Sequence, residues 1–274
     1  MSVERAEPKW RESYDQIDSQ VESLRMPAAG DREVAQDAEW CEVVIQGQTR
    51  RIRFHDYDQI FQIPGLYEEL FYQNLECCSP MRVAHLMEDL LHDCSDAPDE
   101  LRLLDIGAGN GMVGEEMHAR GVDTIVGIDI IAEAKQATER DRPGVYDDYF
   151  VTDLTDLPEL HEEQLRQFGF NCLTTVAALG FGDIPPAAFL KSLDLIDTPG
   201  WLAFNIKEDF LHEQDSTGFS KLVRLLSRER IIQIQAYRRY QHRLSVTGEP
   251  LHYVAMVARK LCDIPDHLFS DSPE

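Results

Sequence analysis

LRLLDIGAGNGMVGEEMHARGVDTIVGID, residues 101–129, is the stretch from which the architecture follows. It opens with the apolar run Leu101-Arg102-Leu103-Leu104-Asp105-Ile106, short enough for a buried strand. Gly107-Ala108-Gly109-Asn110-Gly111 is a glycine-rich turn. Residues 112–120 carry a helical pattern, and Gly121 is placed as its C-cap. Thr124-Ile125-Val126-Gly127-Ile128 then reads as a second buried strand that ends in Asp129. The order strand, glycine turn, helix, strand, acid is one βαβ unit of an open α/β sheet.

Two glycines have separate physical reasons. Gly107 and Gly109, lacking Cβ, can take positive φ and let a ligand approach the backbone. The turn delivers that ligand to a helix N-terminus, whose unpaired N–H groups favour negative charge. Asp129, at the carboxyl end of the second strand, is placed to accept hydrogen bonds from ribose hydroxyls.

The segment parses in two ways. Residues 109–114, Gly-Asn-Gly-Met-Val-Gly, fit the dinucleotide fingerprint G-x-G-x-x-G, with Asp129 at the expected distance. Residues 105–111, Asp-Ile-Gly-Ala-Gly-Asn-Gly, instead resemble the D-x-G-x-G-x-G motif of class I S-adenosylmethionine (AdoMet) methyltransferases. Asp105 favours the second parsing. An acid before the first glycine suits a ligand with a free amine and sits poorly beside a pyrophosphate. A purely structural turn is the remaining alternative.

The resemblance implies a Rossmann-like, doubly wound, mostly parallel seven-stranded sheet with an antiparallel last strand. It extends over residues 101–260, and the first hundred residues match none of the core motifs. The implied cofactor is AdoMet. Asp105, Gly107, Ala108, Gly109, Asn110, Gly111 and Asp129 are its candidate contacts, with Ile130 and Ala178 beside them. Asp153-Leu154 resembles the family position that meets the adenine amino group. Asp153 as the cap of a turn or helix is the alternative, and the two roles are compatible.

The whole chain sets bounds on partners. Its 274 residues are enough for a sizeable core, with 43% hydrophobic and 28% charged residues. No apolar run approaches a membrane span, and the N-terminus lacks a signal-peptide pattern, so a cytoplasmic location is expected. Cys41, Cys77, Cys78, Cys94, Cys172 and Cys262 contain no C-x-x-C pair, so free thiols in a reducing compartment are expected and no metal site. The net charge is −24, and it resides entirely in residues 1–200, which carry 16 Lys and Arg against 40 Asp and Glu. That field disfavours polyanions, so no nucleic-acid partner is expected. A basic cluster, Lys221, Arg224, Arg228, Arg230, Arg238, Arg239 and Arg243, reads either as a solvated face or as an anion patch.

In chain order, Trp10, Tyr14, Ile17, Val21 and Leu24 have helical spacing, so a helix is expected over 8–26. Residues 40–45 and 52–54 around Gln46-Gly47-Gln48-Thr49 predict a β-hairpin. A helix after Pro64-Gly65 and another at Ser79-Pro80, with Ser79 as N-cap, complete an N-terminal cap over residues 1–98. The core spans 99–262 and a tail 263–274. Phe54, Tyr57, Phe61, Tyr67, Phe71 and Tyr72 are either the cap's apolar underside or the lining of a substrate mouth. The core adds a helix over 132–140, strands near 149–152, over 170–178 and over 201–206, and helices over 187–196 and 218–228. Two long strands over 231–237 and 252–258 end it.

A methyltransferase aligns its reactants for an in-line displacement and, where the nucleophile is protonated, supplies a base. His55, Asp183, His242, His252 and Tyr253 are the catalytic candidates, each also readable as a packed or solvated side chain. The expected activity is methyl transfer to a small or medium-sized molecule. The competing readings are a non-catalytic AdoMet-binding protein and an NAD-dependent oxidoreductase.

Overall fold

The computed structural model describes residues 21–27, 35–180, 182–211 and 217–270. A three-stranded antiparallel sheet comes first: β1 (Ser23–Arg25), β2 (Trp40–Ile45) and β3 (Gln48–Arg53). Gln46 and Gly47 both have positive φ, the geometry of a tight hairpin turn that matches strand twist. The expected hairpin is present. The helix expected over 8–26 lies partly outside the described residues, and its described end is β1, paired with β2 through Leu24↔Val43. The apolar spacing there serves a strand edge.

After β3 come α1 (Tyr57–Phe61), a π-helical stretch Glu68–Asn74 and α2 (Ser79–Cys94). Cys41, Val43, Ile52, Phe54, Ile60, Leu66, Leu70 and Phe71 form a separate small core. The helix α2 belongs elsewhere. Val83, Met87 and Leu91 pack with Leu103 and Trp201 against the main sheet, so the layer over the sheet begins before residue 99. Cys78, not Ser79, occupies the N-cap position, because the Ser79 hydroxyl turns inward to Tyr240 and His242.

The main sheet holds β4 (Arg102–Ile106), β5 (Thr124–Asp129), β6 (Asp148–Val151), β7 (Cys172–Thr175), β8 (Gly200–Lys207), β9 (Ile232–Leu244) and β10 (Pro250–Lys260). Their order is β6-β5-β4-β7-β8-β10-β9. All pairings among the first five strands are parallel, and β10 runs antiparallel to both β8 and β9. This is the seven-stranded sheet that the sequence implied, with the last strand of the chain inserted inside the edge.

The helices α3 (Met112–His118), α4 (Ala132–Asp141), α5 (Glu159–Gln167), α6 (Pro186–Asp194) and α7 (Phe219–Arg228) connect the strands, and α8 (His267–Ser270) follows β10. Alternation along β4 feeds both faces: Leu103 packs toward α2 and α3, and Leu104 and Ile106 toward α5, α6 and α7. The helix α5 carries only one buried residue, Leu165, which is why it shows no stripe in the sequence. Ile264 and Leu268 of the expected tail are buried in the main core.

Candidate active site

A cavity of about 480 Å3 opens at the carboxyl ends of β4, β5, β6 and β7. This is where open α/β sheets bind ligands, because the loops there diverge. Its floor includes Gly107 and Gly109, and its walls Asp129, Ile130, Asp153 and Leu154 on one side and Val176, Ala177 and Ala178 on the other. Tyr57, Phe61 and Tyr67 reach over it from the N-terminal segment. Of the aromatics of that segment these three line the cavity, Phe54 and Phe71 are members of the small core, and Tyr57, Tyr67 and Tyr72 pack against it.

The turn is tight for a local reason. Gly107, Gly109 and Gly111 have φ of 65°, 55° and 90°. A Cβ on Gly107 would stand 2.8 Å from the Ala178 Cβ, so the β4 turn and the β7 loop meet without a side chain between them. The Gly109 amide donates to Asp129 Oδ2 at 2.9 Å, and the Ile131 amide to Oδ1 at 3.0 Å. Burial raises the Asp129 pKa, the backbone amides of Gly109, Ile131 and Ile130 oppose that, and nearby Asp183 adds to it.

Several expected contacts lie elsewhere. Asp105 does not line the cavity. Its side chain leaves β4 on the face opposite Ile106, where Oδ1 accepts from Thr174 Oγ1 and Oδ2 from Tyr146 Oη, both at 2.7 Å. Complete burial pushes its pKa up to about 7. Ala108, Asn110 and Gly111 also stay out of the cavity wall. Asn110 donates to Glu68 at 2.8 Å, and Gly111 packs beside Thr138, Arg142 and Tyr146. These residues build the turn from behind. Asp153 lines the cavity and also caps a turn, accepting from the Thr155 amide and hydroxyl.

Of the five catalytic candidates, the cavity brings together His55 and Asp183. His55 Nδ1 lies 3.2 and 3.1 Å from the two carboxylate oxygens of Asp183. His242 and Tyr253 sit away from the cavity, packed on each other with ring centroids 4.0 Å apart. Burial drives the His242 pKa well below its ordinary value, and its Nδ1 bonds the Ser79 hydroxyl at 2.6 Å. The Tyr253 hydroxyl accepts from Gln36 at 3.0 Å. His252 lies on β10, also outside the cavity wall. Chain position near a strand end had suggested these three, but β10 and β9 stand beyond β8 in the sheet, and none of the three reaches the cavity wall.

Ala177 and Asn205 had no signal in the sequence. Ala177, in the cavity wall, has a φ of 58°, a left-handed conformation that costs energy outside glycine. Its amide donates to Asn205 Oδ1 at 2.6 Å, and Asn205 is held in turn by Ser79 and Tyr240. Only the pairing of β7 with β8 brings them together. The N-terminal segment is tied down behind the turn by Glu68, which pairs with buried Arg142 at 2.9 Å.

A parallel sheet with one reversed strand, a glycine turn under a nucleoside-sized cavity and an acid closing the second strand define a class I methyltransferase core. A family profile described as a methyltransferase domain matches residues 81–247, well over half of the chain, and the chain belongs to that family. No curated protein matches it. Among solved structures it is similar to a SAM-dependent methyltransferase from Methanosarcina mazei, with 18% identity over 59% of this chain and 92% of that one and a TM-score of 0.43. A ribosomal protein L11 methylase from Lactobacillus delbrueckii shares 17% identity over 67% and 79%, with a TM-score of 0.44. An S-adenosylmethionine-dependent methyltransferase from Mesorhizobium loti shares 15% over 63% and 96%, with a TM-score of 0.43.

The protein is an AdoMet-dependent methyltransferase, and AdoMet is its cofactor. The residues present fit that group. The cradle at Gly107 excludes any side chain, and the cavity volume lies in the range of small-ligand sites. Among the described residues, no helix is long and apolar enough to cross a membrane, and no His, Cys, Asp and Glu are gathered as a metal site.

Proposed function

We propose that the methyl acceptor is a small or medium-sized molecule, bound between the core loops and the aromatic segment. The roofed cavity carries this reading. Tyr57, Phe61 and Tyr67 line the cavity together, with Tyr57 and Phe61 stacked at a centroid distance of 5.9 Å and the Phe61 and Tyr67 rings tilted at 5.3 Å. An acceptor lodged there is surrounded, whereas a long polymer requires an open channel.

Charge supports the same reading. The chain carries 26 Lys and Arg against 50 Asp and Glu. The basic cluster is not one free face: Arg243 is buried against Glu39, Arg239 pairs with Glu208, and Arg228 with Glu229. Steering of a nucleic acid has little to act on.

In this reading, backbone around Gly107 and Gly109 receives the cofactor, Asp129 accepts from its ribose hydroxyls, and Asp153 with the Leu154 amide meets its adenine. AdoMet supplies an electrophilic methyl group on a sulfonium centre. The protein's own part is to align the acceptor, exclude water with the aromatic roof and receive a proton where the acceptor carries one.

The test pairs binding with transfer. S-adenosylhomocysteine at a hundredfold excess over Kd adds about 2.7 kcal/mol of stability, seen as a raised melting temperature, and NAD adds none. Labelled AdoMet then enters a low-molecular-weight fraction. Label in RNA with salt-sensitive binding, or in protein, overturns the small-molecule acceptor. Binding without transfer to any fraction favours a non-catalytic role.

A further inference from the structure

His55 and Asp183 come from opposite halves of the site. His55 lies in the short link between β3 and α1, and Asp183 in the loop between β7 and α6. They are 128 residues apart in the chain, yet the imidazole Nδ1 faces both oxygens of the carboxylate, and both residues line the cavity. A ring that donates Nδ1–H to a carboxylate is fixed in one tautomer, with the lone pair on Nε2. The pair thus has the form of a base with its orienting acid, assembled only when the N-terminal segment covers the core.

The surroundings are aromatic and acidic. The Tyr57 ring meets the His55 ring edge-on at 5.8 Å, and Tyr67 lies 6.5 Å beyond Tyr57. Asp56 beside His55 on its own segment, Asp129 on β5, Tyr57 and Tyr67, and Tyr253 on β10, whose ionisation Asp183 disfavours, are the other titratable groups near the pair. Burial keeps the tyrosines protonated and Arg53 holds Asp56 ionised, whereas burial and Asp183 raise the pKa of Asp129.

We propose that His55, oriented by Asp183, is the catalytic general base, and that the acceptor group is the hydroxyl of a phenol. This rests on the small-molecule reading above. An amine attacks through its free lone pair and sheds its proton afterwards to water. A hydroxyl is a poor nucleophile until its proton leaves, so a base built into the cavity wall matters most for an oxygen acceptor. The aromatic roof supplies ring faces and edges suited to a flat aromatic acceptor. In the step, the hydroxyl oxygen forms the new O–CH3 bond as the C–S bond breaks. The pair of the broken bond stays on sulfur, which loses its positive charge, and the hydroxyl proton passes to His55 Nε2. The resulting imidazolium is neutralised by Asp183, and the proton then leaves to solvent.

The full-length protein saturated with S-adenosylhomocysteine is titrated with nitrocatechol, whose absorbance reports its ionisation. At a pH below its first ionisation in water, bound nitrocatechol is ionised on the wild type and neutral on His55→Gln, and the two proteins bind S-adenosylhomocysteine equally in calorimetry. With AdoMet, catechol and nitrocatechol are methylated. His55→Gln lowers kcat by roughly 10²–10⁴-fold with KM little changed. The acidic limb of the kcat–pH profile disappears in that variant, and Asp183→Asn lowers kcat in the same direction. Wild-type kcat in His55→Gln, or methylation of aniline and benzylamine without any phenol, overturns the proposal. Failure of the wild type to bind S-adenosylhomocysteine, or label confined to macromolecules, instead overturns the reading on which it rests.

Discussion

Gly107→Ala tests the cradle most directly. Gly107 has a φ of 65°, and alanine held in the left-handed region costs roughly 1–2 kcal/mol. Its Cβ would also stand 2.8 Å from the Ala178 Cβ and 2.9 Å from Ile184 Cδ1. The isoleucine tip can rotate away, but the Ala178 Cβ is fixed to the backbone, so the β7 loop itself must move. Overpacking of that kind costs about 1–3 kcal/mol. Gly144→Ala is the control, since Gly144 has a φ of 79° with nothing within 4 Å of the added Cβ. Both variants lose the same unfolded-chain entropy and pay the same left-handed cost, so their difference isolates the collision. Urea denaturation should place Gly107→Ala about 1–3 kcal/mol below Gly144→Ala. Calorimetry should show weakened S-adenosylhomocysteine binding in Gly107→Ala alone, because the displaced Ala178 lines the cavity. Equal stability and equal affinity in the two variants would refute the reasoning.

Asp129→Ala should weaken S-adenosylhomocysteine binding by roughly 2–3 kcal/mol in calorimetry, as charge-assisted bonds are lost. It should also destabilise the free protein in urea, because the Gly109 and Ile131 amides lose their acceptor. Asp105 makes stability depend on pH: with its pKa raised from 3.8 to about 7, the folded state binds the proton more tightly than the unfolded chain. Its favourable contribution is full below the unfolded pKa and is lost as pH rises through about 7. Urea midpoints at pH 5 and pH 8 should therefore fall more for the wild type than for Asp105→Asn. Glu68→Ala strands buried Arg142 and should cost about 3 kcal/mol in denaturation, near the lower end for such losses because Glu115 remains 3.0 Å from the guanidinium. Replacing Glu68 and Arg142 together by leucine should recover much of that loss.

The sequence by itself determined the βαβ unit, the class of the fold and the glycine turn at the end of β4. These are local: buried strands, positive-φ glycines and an acid at a strand end leave their pattern within thirty residues. It also placed a hairpin around residues 46–49, and the structure narrows the turn to Gln46-Gly47 with the second strand starting at Gln48. What it left open depended on distance or direction. Asp105 stands in the motif, but strand alternation turns its carboxylate to the face opposite the cavity, toward Thr174 and Tyr146. His242, His252 and Tyr253 lie at plausible chain positions, yet the insertion of β10 between β8 and β9 carries them away from the site. Which aromatics line the cavity, and that His55 meets Asp183, was decided by the docking of the N-terminal segment over the strand ends. A contact between residues 128 apart depends on the placement of two whole elements, and no periodicity in either segment encodes that placement.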